Sequence, residues 1–295
     1  MFASCADPSI LSGLHWLACY LTTAKHISFY SSFGTVLLLL ALAAPAALLL
    51  GFAGALADRS QNWLLALLGR AYIAMVRGVP DIVFFLFVPI ALDQAVEYIR
   101  NILFCDERAA SVWQGNDFVV CAAAKMPLSS AAPFVHTLWG FVLALTAFAI
   151  VFGAFAGNVL AGAMRAVPRA QLETGAAYGM TDRQVFRHIL LPQMWIYALP
   201  GLSNLWMILV KATPLLFLLG VQDIVYWARE LGGSKTSAYA YPHPDWRVWY
   251  FSGLLVFYLL LTFVSERVFG LLMARLGRGQ ALQGARQQGA LGGVL

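Results

Sequence analysis

The residues of this chain that could do chemistry are few, and their spacing fits none of the common active sites. The stretch GGSKT at 232–236 resembles a phosphate-binding loop, but Arg229 and Ser234 stand where that loop requires glycine. The five histidines show no metal-ligand spacing, and no serine stands with the partners of a nucleophilic triad. We therefore predict that the chain is not an enzyme and that it binds no cofactor or metal itself.

Four polar residues remain, and each interrupts a long apolar stretch: Asp81, Asn158, Asn204 and Lys211. Polar and charged groups inside a membrane are costly and are functional candidates by default. We take all four as candidates for lining a substrate pathway. Structural roles compete with this interpretation: Lys211 could extend to the interface, Asp81 could cap a helix, and the asparagines could bond neighbouring helices.

The elements that must position these residues are membrane helices. The chain is 61% hydrophobic and 11% charged, whereas a soluble domain carries about 25% charged residues. About 20 apolar residues span a bilayer as a helix. Four windows reach that length, namely 33–56, 137–161, 194–219 and 249–272, and a shorter one at 79–95 makes five spans. A sixth through 10–23 is possible but short, so we predict an all-α integral membrane protein of about five helices.

The distribution of Lys and Arg predicts the orientation. The segments 58–78, 162–193 and 265–295 hold eleven of the nineteen basic residues and only four acidic ones. The segments on the other side hold seven basic and nine acidic residues. Because basic loops stay in the cytoplasm, we predict a multi-pass membrane protein whose N-terminus lies outside the cytoplasm and whose C-terminus lies inside it.

All four cysteines fall on the outer side under this topology. An oxidising compartment permits disulfides there. We favour a bridge between Cys105 and Cys121 among the possible pairings. Four free thiols remain the alternative.

One domain is predicted, at 31–275. Residues 1–30 precede it as a periplasmic or interfacial segment with at most one interfacial helix. The apolar residues 61–76 predict a short elbow helix before the second span. The Gly- and Gln-rich residues 276–295 predict a flexible cytoplasmic tail.

The cytoplasmic loop at 162–193 carries strong local signals. Pro168 suits the entry of a short helix over 171–178, and Gly179 suits the left-handed conformation that ends it. Thr181 with Gln184 predicts a capping box that starts a second helix at once. That helix has an apolar face opposite a polar face of Arg183, Arg187 and His188; the apolar residues are Val185, Phe186, Ile189 and Leu190. Pro192 is predicted to turn the chain into the fourth span, which Pro200 and Pro214 are predicted to break.

The spacing of this loop resembles a motif of permeases that work in ATP-binding-cassette (ABC) importers, E-A-A-x₃-G-x₉-I-x-L-P. Its fixed positions correspond here to Glu173, Gly179, Ile189, Leu191 and Pro192. The two motif alanines are replaced by Thr174 and Gly175. Glycine in a helix costs about 1 kcal/mol relative to alanine, so we expect a softer docking helix.

The resemblance extends over about 32–275. The stretches MVRGVPDIVFFLF at 75–87 and ALPGLSNLWMILVKATPLLFLLGVQDI at 198–224 look like the second and fourth spans of polar amino-acid permeases. The chain is most similar to membrane subunits of histidine and lysine-arginine-ornithine uptake systems and their octopine and nopaline relatives. Residues 98–133 look like a periplasmic insertion.

The resemblance implies a type I ABC importer permease fold in the bacterial inner membrane, with a periplasmic N-terminus and a cytoplasmic C-terminus, and a set of partners. These are a second permease subunit, related or identical, a cytoplasmic ATPase dimer that holds ATP and Mg, and a periplasmic solute-binding protein. It also implies that the cytoplasmic loop couples transport to the ATPase. The coupling residues would be Glu173, Thr174, Gly175, Ala176, Ala177, Gly179, Ile189, Leu191 and Pro192.

The substrate implied is a basic or polar amino acid of the histidine, arginine, lysine and ornithine class. Family members often have Glu where this chain has Asn158, which weakens the case for a cationic side chain. The partner permease could supply the charge, the substrate could be neutral, or this subunit could only shape the pathway. A permease for another small solute such as an opine stays the alternative, followed by a stand-alone carrier.

Overall fold

The protein is described by a computed structural model, which describes residues 5, 11–75, 80–105, 112–115, 117–219 and 221–277; the side chains of Asp81, Leu218 and Leu219 are outside the description. These residues are mostly helical. The helices are α1 (Gly13–Leu21), α2 (Ala24–Asp58), α3 (Trp63–Ala74), α4 (Asp81–Phe104), α5 (Pro133–Ala166), α6 (Arg169–Ala177), α7 (Asp182–Val185), α8 (Leu191–Ala212), α9 (Ile224–Gly232) and α10 (Arg247–Leu276). A π-helical turn, Phe186–Leu190, joins α7 to α8, and a 3-10 helix, Thr213–Leu219, follows α8.

Five helices are long and apolar enough to cross a membrane, which confirms the predicted number of spans. They are Ala24–Asp58, Ile82–Phe104, Pro133–Ala166, Asp182–Phe217 and Arg247–Leu276. Each is longer than a bilayer requires, because about 20 helical residues span its hydrocarbon core. The possible sixth span does not form, since α1 has only 9 residues.

The first span begins at Ala24, so residues 24–30 belong to this helix and not to a surface segment. In the first turn of this helix, the polar side chain of His26 has hydrogen-bond partners. The fully buried His26 lies 2.8 Å from Thr23 Oγ1 through Nδ1 and 2.7 Å from Tyr250 Oη through Nε2. Because Tyr250 comes from a distant part of the chain, hydropathy alone placed the start of the helix too late.

The second span is also longer than predicted and runs to Phe104. Its charged last turns bond to the loop that follows. Arg100 donates from Nη2 to Ala123 O at 2.9 Å, and Glu97 Oε1 accepts from the Met126 backbone N–H at 3.2 Å. The loop that follows α4 therefore begins at Cys105, and the first residues of the predicted insertion at 98–133 are helical.

Two disulfides are present, and the described residues include no free cysteine. Cys105 is bonded to Cys121, the pairing favoured from the sequence, with Cα atoms 6.3 Å apart. Cys5 is bonded to Cys19 on α1, with Cα atoms 5.6 Å apart. Within the loop that follows α4, strands β1 (Trp113–Gln114) and β2 (Asp117–Phe118) pair in antiparallel fashion, with Trp113 opposite Phe118.

The chain packs as two compact units. The first comprises Met1–Ala46, Gly78–Val151 and Ala212–Phe257, and the second comprises Ala47–Arg77, Phe152–Lys211 and Tyr258–Leu295. In the second unit α2 and α5 approach closely, because Gly51 and Gly157 face each other. A Cβ added at Gly51 would lie 2.7 Å from the Gly157 nitrogen. Any larger side chain would separate these helices.

The short helix predicted at 61–76 is present as α3. The Asn62 side chain caps it by accepting from the Leu64 backbone N–H at 3.0 Å. Gly69 brings it against the end of α2, where an added Cβ would lie 2.8 Å from the Ala57 carbonyl carbon. Its role as an elbow at the membrane interface stays a prediction.

Candidate functional site

The candidates in the loop at 162–193 form a short helix with a rigid glycine corner. Helix α6 ends at Ala177 with Tyr178 as its C-cap, and Gly179 follows with φ of +82°, the left-handed conformation predicted for it. The Met180 backbone N–H donates to Gly175 O at 3.1 Å, and the Gly179 N–H donates to Ala176 O at 2.9 Å. These two bonds make a complete Schellman motif, which satisfies carbonyls at the helix end. The direction of the chain after α6 is therefore fixed.

The second helix begins with the predicted capping box. The Gln184 backbone N–H lies 3.4 Å from Thr181 Oγ1, and the Thr181 N–H donates to Gln184 Oε1 at 2.8 Å. Asp182 adds a negative charge in the first turn, where the helix dipole favours it. The predicted apolar residues are buried or half-buried, and the predicted polar ones are exposed.

The helix does not turn at Pro192, which corrects the sequence-based prediction. It passes from α7 through the π turn into α8, as part of one 36-residue helix, Asp182–Phe217. In the π turn the Leu191 N–H donates to Phe186 O, five residues back. Proline in a regular α-helix clashes with the carbonyl four residues earlier. The widened turn relieves this clash, so Pro192 is accommodated without a break.

Pro200 does not break the fourth span either, since it lies inside α8. The change to 3-10 geometry comes at Thr213, next to Pro214, as predicted for that proline. Proline removes one backbone donor and crowds the turn before it, and α8 accommodates both effects without a break.

Gly175 has a packing role that the motif comparison did not indicate. It is buried, and a Cβ added there would lie 2.5 Å from Ile189 Cδ1 and 3.3 Å from Val185 Cγ2. The missing side chain therefore lets α6 lie directly on the apolar face of the following helix. Two motif positions, 175 and 189, meet in space, and the expected softening of α6 is opposed by this contact.

The opposite face of α6 is exposed. Glu173, Thr174, Ala176 and Ala177 are all exposed, and Tyr178 is 86% exposed. In the described part of the chain no ion pair engages Glu173. Beside this face lies a recess of about 650 Å³, lined by Arg59, Leu172, Glu173, Ala176, Asp182, Arg183, Val185, Phe186 and Leu190. An exposed face next to a recess with charged walls is suited to receive a protein partner.

The pathway candidates on α8 lie on one exposed face. Asn204 and Lys211 are seven residues apart, and Tyr197, Pro200 and Ile208 complete the same exposed stripe. In a membrane span such a polar stripe is expected to face a cavity or another protein, because lipid would leave its polar groups unsatisfied. Asp81 is the first residue of α4, but its side chain is outside the description.

Asn158 lies in a different environment, near an ion-pair cluster. It lines a cavity of about 290 Å³ together with Asp58, Arg70 and Arg165. The Asp58 carboxylate, 9% exposed, accepts from Arg165 Nη2 at 2.6 Å and lies 3.9 Å from Arg70 Nε. This cluster ties the ends of α2, α3 and α5 together. The sequence did not reveal it, because the three residues are far apart along the chain.

Comparison with known proteins identifies the family. Residues 43–278 match the model of the binding-protein-dependent transport system inner membrane component. The chain belongs to this family.

Relatives of this inner membrane transport component have names that specify amino-acid transport. The chain is 33% identical over 236 residues to the histidine/lysine/arginine/ornithine transport system permease protein HisQ of Salmonella typhimurium (strain LT2), covering 79% of this chain and 86% of that protein. It is 30% identical over 233 residues to the octopine transport system permease protein OccQ of Rhizobium radiobacter, covering 79% and 83%. It is 29% identical over 195 residues to the arginine ABC transporter permease protein ArtQ of Haemophilus influenzae, covering 66% and 70%.

A solved structure shows the same fold. The chain superimposes on an amino acid ABC transporter crystallised with histidines, with a TM-score of 0.59 and 20% sequence identity, covering 87% of this chain and 98% of that chain. The predicted permease fold with five membrane-spanning helices is confirmed, as is the resemblance to importer permeases.

The motif did not indicate two residues near this loop. Tyr178, the C-cap of α6, directly precedes the motif glycine and has a highly exposed side chain. Arg59, at the end of α2, contributes a cation to the recess. An aromatic residue directly before a helix-ending glycine was a local signal for Tyr178. Arg59 had none, because only the fold brings it to the loop.

Proposed function

We propose that this chain is the permease subunit of an ATP-driven amino-acid importer and that α6 is the helix through which a partner ATPase acts on it. The observation that carries the proposal is the exposed face of α6, held at a fixed angle by the Gly179 corner. Family membership supports a transport role. The ATPase dimer would hold ATP and Mg, and this chain would bind neither.

The loop is built to move as one piece with the fourth span. Helix α6 packs through Gly175 on Ile189, which belongs to the helix that continues into α8. A displacement of α6 therefore reorients the whole span instead of bending a flexible loop. ATP binding to the partner would bias the permease between two rigid arrangements, by binding one of them better.

The surface around α6 suggests how the partner binds. The aromatic ring of Tyr178 can fill a pocket of the ATPase, as exposed aromatic anchors do in other interfaces. Glu173 offers a carboxylate to a basic group, and Arg59 and Arg183 offer cations at the recess. On the basis of this surface, we propose the coupling role for all nine residues that the family resemblance indicated.

The proposed orientation places α6 in the cytoplasm and the disulfides outside. The basic residues of 162–193 support a cytoplasmic loop. The bridges Cys5–Cys19 and Cys105–Cys121 support an oxidising compartment for the other side. A periplasmic solute-binding protein would deliver substrate to that side, and a second permease subunit, related or identical, would complete the pathway.

The proposed substrates are basic or polar amino acids. The names of the relatives specify histidine, lysine, arginine, ornithine and octopine. On the exposed stripe of α8 the polar side chains are a phenol, an amide and an ammonium: Tyr197, Asn204 and Lys211. Lys211 suits the carboxylate that every amino acid carries. An opine carries additional carboxylates, so the same cation favours an opine as the second candidate.

The test is to purify the tagged chain from its native membrane and to identify what accompanies it, with cross-linking from position 173. We expect an ATPase, and we expect Glu173→Lys to abolish its recovery and ATP-driven uptake while the chain still inserts. Lys125→Gln, which removes an exposed charge elsewhere, is the matched control. Normal uptake by Glu173→Lys, or a chain recovered alone after cross-linking, would refute the proposal.

A further inference from the structure

A cavity of about 490 Å³ lies beside α9, and none of the coupling or pathway candidates lines it. Its lining residues are Phe217, Val221, Gln222, Tyr226, Arg229 and Glu230, all within the first compact unit. Ligand cavities in proteins have volumes of about 300–1,000 Å³. The cavity is therefore large enough for an amino acid.

The polar wall of this cavity is one face of α9. Tyr226 and Arg229 are three residues apart in α9, which places them on one side of the helix, and Gln222 lines the cavity from just before the helix begins. The opposite side is buried in the unit: Ile224, Ala228, Leu231 and Gly232. Burial of that side fixes the direction in which the polar face points.

Both ends of α9 are held in place. At its start, Asp223 Oδ1 accepts from the Tyr226 backbone N–H at 2.9 Å. At its end, the Trp246 N–H donates to Gly232 O at 2.8 Å, and Tyr20 Oη donates to Leu231 O at 3.2 Å. The side chains that line the cavity therefore stand on a rigid support, which a specific binding site requires.

The cavity contains one cation and one anion with unused bonding capacity. Arg229 is exposed, and within the described ranges no ion pair engages it. Glu230 accepts from Lys25 Nζ at 2.8 Å and lies 3.4 Å from Lys235 Nζ, in both cases through Oε1. The hydrogen bond from Lys25 holds the pKa of Glu230 below its usual value, so the carboxylate stays charged. Its Oε2 is directed to neither lysine.

We propose that this cavity binds the zwitterionic head group of an α-amino acid. The Arg229 guanidinium presents two parallel N–H groups to the α-carboxylate, a geometry that a single ammonium cannot offer. Glu230 Oε2 accepts from the α-ammonium group. The side chain of the amino acid lies against Phe217, Val221 and the ring of Tyr226.

The pairing of opposite charges selects against simpler ligands. A cation without a carboxylate would be repelled by Arg229 and by the two lysines beside Glu230, and an anion without an ammonium group would leave Glu230 Oε2 without its partner. The selection acts on the head group common to all amino acids, so the site would discriminate the class and not the individual member.

This inference rests on the proposed function and adds an entry site to it. Phe217 is the last residue of the fourth span, so the cavity lies where that span ends. Under the proposed orientation this end is periplasmic. An amino acid released there would be held before it enters the membrane.

The test measures equilibrium binding of tritiated L-arginine to the complete importer in nanodiscs, without ATP and without the solute-binding protein. Agmatine, which lacks the carboxylate, and Nα-acetyl-L-arginine, which lacks the ammonium group, are the competitors. Arg229→Gln and Glu230→Gln are compared with Lys125→Gln, which removes an exposed cation outside the cavity. Thermal melting confirms that each variant is folded.

We expect Arg229→Gln to weaken L-arginine binding about tenfold or more and not to weaken agmatine binding, because Arg229 repels agmatine. Glu230→Gln is expected to weaken L-arginine binding similarly and not to weaken Nα-acetyl-L-arginine binding. Equal binding by Arg229→Gln and Lys125→Gln would overturn the site. If a variant fails to assemble, the wild-type importer decides, since either analogue binding as tightly as L-arginine would also overturn it. If the importer transports normally but shows this result, the entry site is refuted and the proposed function stands.

Discussion

Substitutions of Gly179 test whether the left-handed backbone conformation of this residue is needed for coupling. Gly179 has φ of +82°, and a Cβ added there would meet no atom within 4 Å. An L-residue in this region costs about 1–2 kcal/mol, and about 1.4 kcal/mol corresponds to a factor of ten. An exposed nine-residue helix has little stability of its own. This cost therefore lowers the fraction of molecules in which residue 179 has the left-handed conformation. Gly179→Ala should weaken ATPase binding by about 5- to 30-fold.

The assay is a titration of purified ATPase onto the permease in nanodiscs, with ATP-driven uptake measured in parallel. Gly179→Asn should lose less than Gly179→Ala, because asparagine tolerates the left-handed region, and Gly179→Val should lose more. Gly270→Ala is the matched control, since its added Cβ also meets nothing but its backbone is helical.

The order of the variants is the decisive result. Affinities that fall in the order Gly, Asn, Ala, Val show that the corner must hold its left-handed conformation for the ATPase to bind. Wild-type affinity in both Gly179→Ala and Gly179→Val would refute the reasoning, because the corner would then not matter. An equal loss in Gly270→Ala would show that the measurement reports general damage.

Two further predictions concern packing and pH. Gly175→Leu should lower the melting temperature and the uptake rate because its side chain would displace Ile189, whereas Gly175→Ala should be nearly neutral, since only the flexible end of Ile189 must move. Burial raises the pKa of Asp223 to about 6, above its ordinary value of 3.8. An acid whose pKa is raised by folding favours the folded state at low pH, so stability should fall as pH rises from about 4 to 6, and Asp223→Asn should remove that slope.

Each of these predictions has a clear contrary result. Equal melting temperatures for the alanine and leucine variants at 175 would show that α6 does not pack on the following helix. A wild-type melting curve with the same pH dependence as Asp223→Asn would show that this carboxyl is not buried as the structure has it.

The sequence predicted those parts of the fold that depend on residues close together along the chain. Membrane spans follow from the length of apolar runs, and the loop corner follows from Gly179 and from the Thr181–Gln184 pair, all within a few residues. A prediction failed where two local rules competed. Pro192 signals a break, but the turn Phe186–Leu190, which ends two residues before it, widens into a π turn, and no sequence rule marks that turn.

The parts that could not be predicted depend on distant partners. The first span starts early because His26 bonds to Tyr250 across 224 positions of sequence, and the Asp58 cluster joins residues up to 107 positions apart. The contact between Gly175 and Ile189 is closer in sequence, but a motif comparison treats 175 only as a missing alanine. Such contacts can be identified only once the fold is known.

The unbroken helix from the coupling corner into the fourth span acts as a lever arm. Asp182 and Asn204 are separated along it by a length of about 33 Å at 1.5 Å per residue. A rotation of about 5° about the end near Asp182 would therefore carry Asn204 about 3 Å sideways. That distance is comparable to the length of a hydrogen bond, so a tilt too small to disturb the packing of the corner can still break or form a polar contact at the middle of the span.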